Sequence, residues 1–292
     1  KHKVTCLVQY NFHNSWGWLD HVDPKIKKKI NIITGDIRDE NLINSILKKK
    51  FDVIINLAAL IGIPYSYRAP KSYFETNVNG IMNILNSNNI TNVKRIIHTS
   101  TSEVYGTPNY IPIDEHHPVS AQSPYAASKI AADQLALSYQ KSFGLPVTIL
   151  RPFNTFGPRQ SARAIIPTII TQILKNPKIK LGSLHPTRDL TYIDDTTDAF
   201  LYAIKSKKGI GEIINVGSGF EISIKKLAFK IAKIMGTKIS ISKEKVRVRP
   251  KNSEVERLCA SIKKINRIYN WKPKYSSKKS FEIGLQNTIK WF

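Results

Sequence analysis

Short runs of apolar, β-branched residues punctuate the first half of the chain, at Val4–Gln9 and at residues 30–34, 53–57, 95–100 and 147–151. Their apolar positions are consecutive and do not alternate, which marks strands covered on both faces. Between them the spacing becomes helical at residues 40–49, 71–86 and Pro124–Phe143. Ser123 is a capping residue for the last of these, Pro124 suits its first turn, and Gly144 stops it ahead of Pro146. Strand and helix in alternation predict a doubly wound, Rossmann-like α/β fold with a parallel sheet between helical layers.

The second half is more mixed. Helices are expected at residues 164–175, Ile193–Lys205, 224–235 and 277–292, with strands ending at Tyr192 and spanning Ile213–Val216. No linker separates the halves. A smaller substrate-binding unit (residues 161–182 and 220–292) is therefore expected to be interleaved with the dinucleotide-binding unit (residues 1–160 and 183–219).

Composition narrows the class. The chain has 292 residues, 41% hydrophobic and 23% charged, with only 2 cysteines. It has no apolar stretch of the ~20 residues that span a bilayer, and too few cysteines for a disulfide framework, so a cytoplasmic setting is expected. The net charge of +24 comes mainly from lysines scattered at helix ends. That favours a solvated basic surface over a nucleic-acid footprint, while leaving an anionic substrate attractive.

Two segments carry chemistry. Tyr125 and Lys129 stand four apart on a helix and share a face, so an ammonium there can stabilise phenolate and pull the tyrosine below its ordinary value. Alone, the pair reads more readily as two surface side chains. Thr101, Ser102 and Glu103 follow a buried strand and so lie at the carboxyl edge of the sheet, where α/β proteins bind ligands. A hydroxyl there can hold a substrate oxygen and a carboxylate can exchange protons, although a capped polar loop would look the same.

Taken together, Ser100-Thr101-Ser102-Glu103-Val104-Tyr105-Gly106 and Tyr125-Ala126-Ala127-Ser128-Lys129 resemble the extended short-chain dehydrogenase/reductases, the NAD-dependent epimerase/dehydratase family, and within it the retaining nucleotide-sugar 4,6-dehydratases. Further matches span nearly the whole chain, among them Gly35-Asp36-Ile37-Arg38-Asp39, Asn56-Leu57-Ala58-Ala59, Thr76-Asn77-Val78-Asn79-Gly80, Arg151-Pro152-Phe153-Asn154 and Thr187-Arg188-Asp189. Finer wording, in Asn14-Ser15-Trp16-Gly17-Trp18, Ile63-Pro64-Tyr65-Ser66-Tyr67 and Gln160-Ser161-Ala162-Arg163, resembles the nucleotide-N-acetylglucosamine 4,6-dehydratases of legionaminic acid biosynthesis.

The resemblance implies a mechanism and a set of contacts. Tyr125 acts on the sugar C4 hydroxyl, Lys129 supports it, Thr101 holds the C4 oxygen and Glu103 takes the C5 proton. Many relatives carry an acid where this chain has Ser102, which leaves Glu103 to serve both elimination steps. Cofactor contacts for NAD or NADP fall on Asn11, Asp36, Ile37, Leu57, Ala58, Ala59, Asn77, Ser100, Tyr125, Lys129, Pro152 and Phe153. Substrate contacts fall on Ser102, Asn154, Arg188 and Arg249, where the plainer alternative for Arg188 is a salt bridge to Asp189 or Asp194. No metal is implied. The helices at 71–86 and Pro124–Phe143 correspond to those that pair subunits, so a homodimer is expected.

The family's opening strand and its Gly-x-x-Gly-x-x-Gly turn are not found. Val4–Gln9 resembles the second strand and Gly17 stands alone. An N-terminally truncated chain is expected, with an opening in the middle of its sheet and weak dinucleotide binding. Tyr10 and Asn11 stand where an acid normally meets the ribose, which leaves NAD against NADP open. Competing readings are a 4-epimerase or reductase on the same scaffold and, from another class, a non-catalytic basic binding protein.

Overall fold

The computed structural model describes residues 2–87, 89–244 and 253–292. Its strands are β1 (Val4–Gln9), β2 (Ile30–Gly35), β3 (Val53–Asn56), β4 (Arg95–Thr99), β5 (Val147–Pro152), β6 (Asn154–Phe156), β7 (Lys178–Leu181), β8 (Thr187–Tyr192), β9 (Ile213–Val216), β10 (Glu221–Ser223), β11 (Ser240–Lys243) and β12 (Arg257–Leu258). Its helices are α1 (Pro24–Lys27), α2 (Glu40–Leu47), α3 (Ile63–Ser66), α4 (Pro70–Phe74), α5 (Gly80–Leu85), α6 (Pro124–Phe143), α7 (Ile165–Lys175), α8 (Ile193–Lys205), α9 (Ile224–Ile234), α10 (Lys263–Tyr269) and α11 (Lys278–Trp291). A π-helical turn, Glu75–Asn79, joins α4 to α5. Each strand and long helix expected from the apolar pattern is present.

The central sheet runs β3-β4-β5-β9, all parallel. Successive residues of β4 point to opposite faces, and both faces are covered. Ile96 packs with Ile43 of α2, Ile84 of α5 and Ala132 of α6. Ile97 packs with Ala199 of α8 and with Ile265 and Trp271 of the α10 region. This two-sided burial explains the unbroken apolar run.

The expected opening in the sheet is present. Among the described residues β1 and β2 pair only with each other, in parallel register from Val4 with Ile30 to Gln9 with Gly35. Leu7 of β1 and Ile54 of β3 pack on the same core, yet their strands share no ladder. Val4 and Ile55 are exposed.

A second core lies beyond the sheet, where α7, α9 and α11 pack on β7 and β8 around Ile169, Leu227, Ile231 and Phe281. It does not follow the expected division of the chain. Leu190 and Tyr192 belong to this core, although 183–219 was assigned to the larger unit. Ile265, Tyr269 and Trp271 belong to the central sheet, although 220–292 was assigned to the smaller one. The polypeptide crosses between units more often than composition reveals, because each crossing is made by a short, ordinary segment.

Side-chain deletion distinguishes the two sheets. Ile96→Ala, in the fully covered strand, costs about 2–5 kcal/mol, whereas Val4→Ala stays within about 0.5 kcal/mol. Chemical denaturation measures both, and equal costs would show that β1 is as well packed as β4.

Candidate functional site

The carboxyl ends of β3, β4 and β5 lie side by side in the parallel sheet, and the chemistry-bearing residues reach this edge from two directions. Thr101 follows β4, and its hydroxyl accepts a hydrogen bond from the Glu103 amide at 3.2 Å, capping a short 3-10 turn from Ser102 to Tyr105. Gly106 ends that turn at φ +63°, and a Cβ there would meet the Ser120 carbonyl at 2.4 Å. A larger residue would therefore shift the loop that carries Glu103.

From the other side comes α6. Ser123 caps it by accepting from the Ala126 amide, with Pro124 in the first turn and Gly144 left-handed at the end. Tyr125, Lys129 and Asp133 lie one turn apart on its buried face. The Tyr125 phenol is hydrogen-bonded to the Thr101 hydroxyl and lies within electrostatic reach of the Glu103 carboxylate. Tyr73 packs edge-on against it, with ring centroids 6.2 Å apart. Lys129 Nζ donates to the Thr99 carbonyl at 2.6 Å, at the end of β4. Thr101, Glu103, Tyr125 and Lys129 are thus brought together.

Burial dominates the electrostatics here. It pushes Lys129 down to about 8, with the Asp133 carboxylate pulling the other way. It also holds the Tyr125 phenol well above its ordinary value, reinforced by Glu103 and Asp133 and only partly offset by Thr101. The sequence predicts a tyrosine lowered by its lysine. The direction is the reverse, because burial penalises the phenolate and the Glu103 and Asp133 carboxylates add to that.

The other expected contacts divide. Leu57 and Ala58 are exposed beyond β3, with Ala59 and Pro152 half-buried beside the cleft. Among the described residues, buried Asn56 Oδ1, Thr99 Oγ1 and Asn154 Oδ1 have no hydrogen-bond partner. Small residues and unspent polar atoms at strand ends fit a dinucleotide and a sugar. Ile37 is half-buried against Gly80, and Ser102 is buried within the turn. Asn11 serves its own loop, accepting from the Ser15 amide and donating to the Ser15 carbonyl.

Other expected contact residues are engaged within the protein. Asn77 accepts from the Leu60 amide and donates to the Leu60 carbonyl and Ser128 hydroxyl, so its amide fastens the loop after β3. The wide π turn is what carries it there. The Ser100 hydroxyl donates to Asp133 at 2.7 Å and is likewise committed within the protein. Asp36 is held by the Arg38 guanidinium, which keeps its carboxyl below the ordinary range. The Phe153 ring is buried among Val104, Tyr105 and Leu258. Arg188 is paired, but with Glu254 at 3.2 Å, and neither Asp189 nor Asp194 is that partner. Arg249 lies outside the described residues.

Comparison with known proteins agrees with this geometry. Residues 1–283 match the family described as GDP-mannose 4,6 dehydratase. The chain belongs to that family. It is 34% identical to a putative UDP-glucose 4-epimerase of Methanocaldococcus jannaschii, over 99% of this chain and 93% of that one. It is 31% identical to the human dTDP-D-glucose 4,6-dehydratase, over 91% of this chain and 76% of that one. The dTDP-glucose 4,6-dehydratase DesIV of Streptomyces venezuelae, solved with NAD bound, superposes with a TM-score of 0.87 at 29% identity, covering 99% of this chain and 87% of that one. The fold is therefore the Rossmann-like α/β fold of the extended dehydratases and epimerases. Among the described residues no helix is long and apolar enough to cross a membrane.

The sequence reading missed the layer beneath Lys129. Asp133 is fully buried and accepts from the Ser100 hydroxyl and twice from the Arg151 guanidinium. Arg151 also donates to Tyr105, whose phenol donates to Asn215. The available signals were an arginine inside an otherwise apolar strand and an acid on the helix face already holding Tyr125 and Lys129.

A lysine lowered on folding binds fewer protons in the folded state than in the unfolded state between about pH 8 and 10.5. Stability must therefore rise with pH through that window. Relative to Lys129→Met, the wild type should gain up to about 1.4 kcal/mol per pH unit there, read by denaturant titration at successive pH values. A flat difference would mean that Lys129 is not desolvated.

Proposed function

We propose that the chain is a nucleotide-sugar 4,6-dehydratase, acting on an NDP-N-acetylglucosamine and yielding the 4-keto-6-deoxy sugar. The observation that supports this most strongly is a carboxylate, Glu103, beside the Tyr125 and Thr101 hydroxyls in one buried cleft. Oxidation at C4 needs only the tyrosine. Loss of water across C5 and C6 needs a base aimed at the next carbon.

Bound NAD or NADP supplies a reversible hydride acceptor at the strand ends, bordered by Leu57–Ala59, Pro152, Tyr125 and Lys129. Thr101 holds the C4 oxygen and Tyr125 takes the proton from the C4 hydroxyl. The resulting 4-ketone acidifies the C5 hydrogen, which Glu103 removes. With Ser102 beside it and no second acid in that turn, Glu103 then gives its proton to the departing C6 hydroxyl, which leaves as water, and return of the hydride to C6 with a proton to C5 would complete the 4-keto-6-deoxy sugar. Asn154 and Arg188 face the sugar and its diphosphate, and Arg188 is released from Glu254 when the anion binds. The N-acetylglucosamine assignment, and with it a place in legionaminic acid biosynthesis, rests on sequence wording around Trp16, Tyr65 and Ser161. Exposed Phe74, Met82 and Phe143 support the pairing of two copies through α4, α5 and α6.

A 4-epimerase is the second reading, favoured by the similarity to the archaeal protein described as one. It would use Tyr125 and Thr101 and leave Glu103 idle.

Product mass separates the readings. The chain incubated with GDP- or UDP-N-acetylglucosamine and NAD or NADP should yield a species lighter by one water. Glu103→Gln should slow its formation by about a hundredfold to ten-thousandfold while C4 oxidation continues. A product of unchanged mass with inverted C4 would sink the dehydratase reading in favour of the epimerase.

A further inference from the structure

Tyr73 reaches the proposed site from a third direction and has no part in the steps above. It lies on α4 with its side chain buried. Its ring meets that of Tyr125 with centroids 6.2 Å apart and planes at 78°, and Tyr65 of α3 stands 6.2 Å from the same ring. Buried Ile63 and half-buried Leu60 complete this small cluster with Tyr73 and Tyr125. Tyr125 therefore has two different partners. Its phenol is hydrogen-bonded to the Thr101 hydroxyl, and its ring is backed by Tyr73.

The Tyr73 hydroxyl has a separate task. It donates to the Gly62 carbonyl, at the start of α3. One turn further on, Asn77 accepts from the Leu60 amide and donates to the Leu60 carbonyl and to the Ser128 hydroxyl, which itself donates to the Tyr125 carbonyl. The loop after β3 is thus tied at Leu60 and at Gly62, and exposed Ile61 stands between the two ties. The Gly62 carbonyl also accepts from the Tyr65 and Ser66 amides, at 3.0 and 3.2 Å. Removing the Tyr73 hydroxyl therefore leaves that acceptor satisfied, and folding alone demands little of it.

We propose that Tyr73 is a positioning residue with two separable roles: its ring holds Tyr125 against Thr101, and its hydroxyl fixes, through Gly62, the loop after β3 that borders the bound substrate. This rests on the proposed reading of Tyr125 as the residue that acts on the C4 hydroxyl. Helical spacing places the Tyr125 backbone but leaves its side chain free to swing. A second ring packed nearly at right angles removes that freedom, and a reacting oxygen displaced by about 1 Å costs a large share of the rate. The loop acts on binding and not on Tyr125, so the two roles fall on different kinetic constants.

Two variants of the full chain separate the roles. Tyr73→Phe keeps the ring and removes the hydroxyl. Its KM for the nucleotide sugar should rise about twofold to tenfold, the equivalent of one hydrogen bond, with kcat unchanged. Tyr73→Leu removes the ring as well, and kcat should fall by about tenfold to a hundredfold. A merely structural Tyr73 would lower the melting temperature of both variants and leave the kinetic constants of the folded protein alone. An unchanged KM in Tyr73→Phe, or an unchanged kcat in Tyr73→Leu, overturns the proposal. If the leucine variant does not fold, Tyr73→Phe carries the test, and a fall in kcat with KM unmoved overturns it. Nuclear Overhauser contacts between the Tyr125 ring and the Thr101 methyl group do not depend on turnover. They should persist in Tyr73→Phe and vanish in Tyr73→Leu. A chain that dehydrates no nucleotide sugar overturns the proposed function instead, and those contacts still decide whether Tyr73 positions Tyr125.

Discussion

Two cations and one anion buried together beneath a single tyrosine form the constraint on which this structure depends. Lys129, Asp133 and Arg151 are each almost wholly removed from water. Any one of them alone would cost several kcal/mol in that setting. They are tolerable only as a set, with the carboxylate between the cations and its hydrogen bonds met by Ser100 and Arg151. Those partners come from β5, the end of β4 and α6, so the set fixes the angle at which α6 crosses the sheet. That crossing in turn brings Tyr125 to Thr101 and Glu103. The reactive arrangement follows from a demand of charge burial, and the apolar core only has to be compatible with it.

The sequence revealed the layers and not the ties between them. Strands covered on both faces announce themselves through consecutive β-branched residues, and α6 through its cap, its proline and its terminal glycine. The pair Tyr125 and Lys129 was legible because helical spacing alone places them together. Asp133 was not, since an aspartate four residues further along a helix reads as a solvated side chain until its depth is known. Arg188 illustrates a different limit. Its partner, Glu254, lies far along the chain, and only the pairing of β12 with β8 brings that segment near. The short elements β10, β12 and α10 escaped notice for a related reason, as segments of two to seven residues hold too few positions for a period to show.

Under the proposed function Glu103 separates dehydration from epimerisation, and the local backbone fixes where its carboxylate lies. The Thr101 hydroxyl caps the turn that carries Glu103, so the hydroxyl bonded to Tyr125 also orients the segment that bears the carboxylate. Gly106 closes the same turn where no larger residue fits. Ser102 is buried and contributes no charge, so Glu103 is the carboxylate that this turn brings to Tyr125, and under the proposed function it would both take and return a proton. This economy is chemically consistent, because the acid formed when Glu103 takes the C5 proton is the one that the departing hydroxyl requires.

Low polarity around Tyr125 cuts both ways. The burial that strengthens each charge interaction around it also raises the energy of its phenolate. The second effect wins, and the tyrosine stays neutral well above its ordinary range. Lys129 is desolvated as well, and burial pushes it down to about 8. Asp133 pulls the lysine back up while adding to the cost of the phenolate. One buried carboxylate therefore acts in opposite senses on the two groups, favouring charge on the ammonium and opposing it on the phenol.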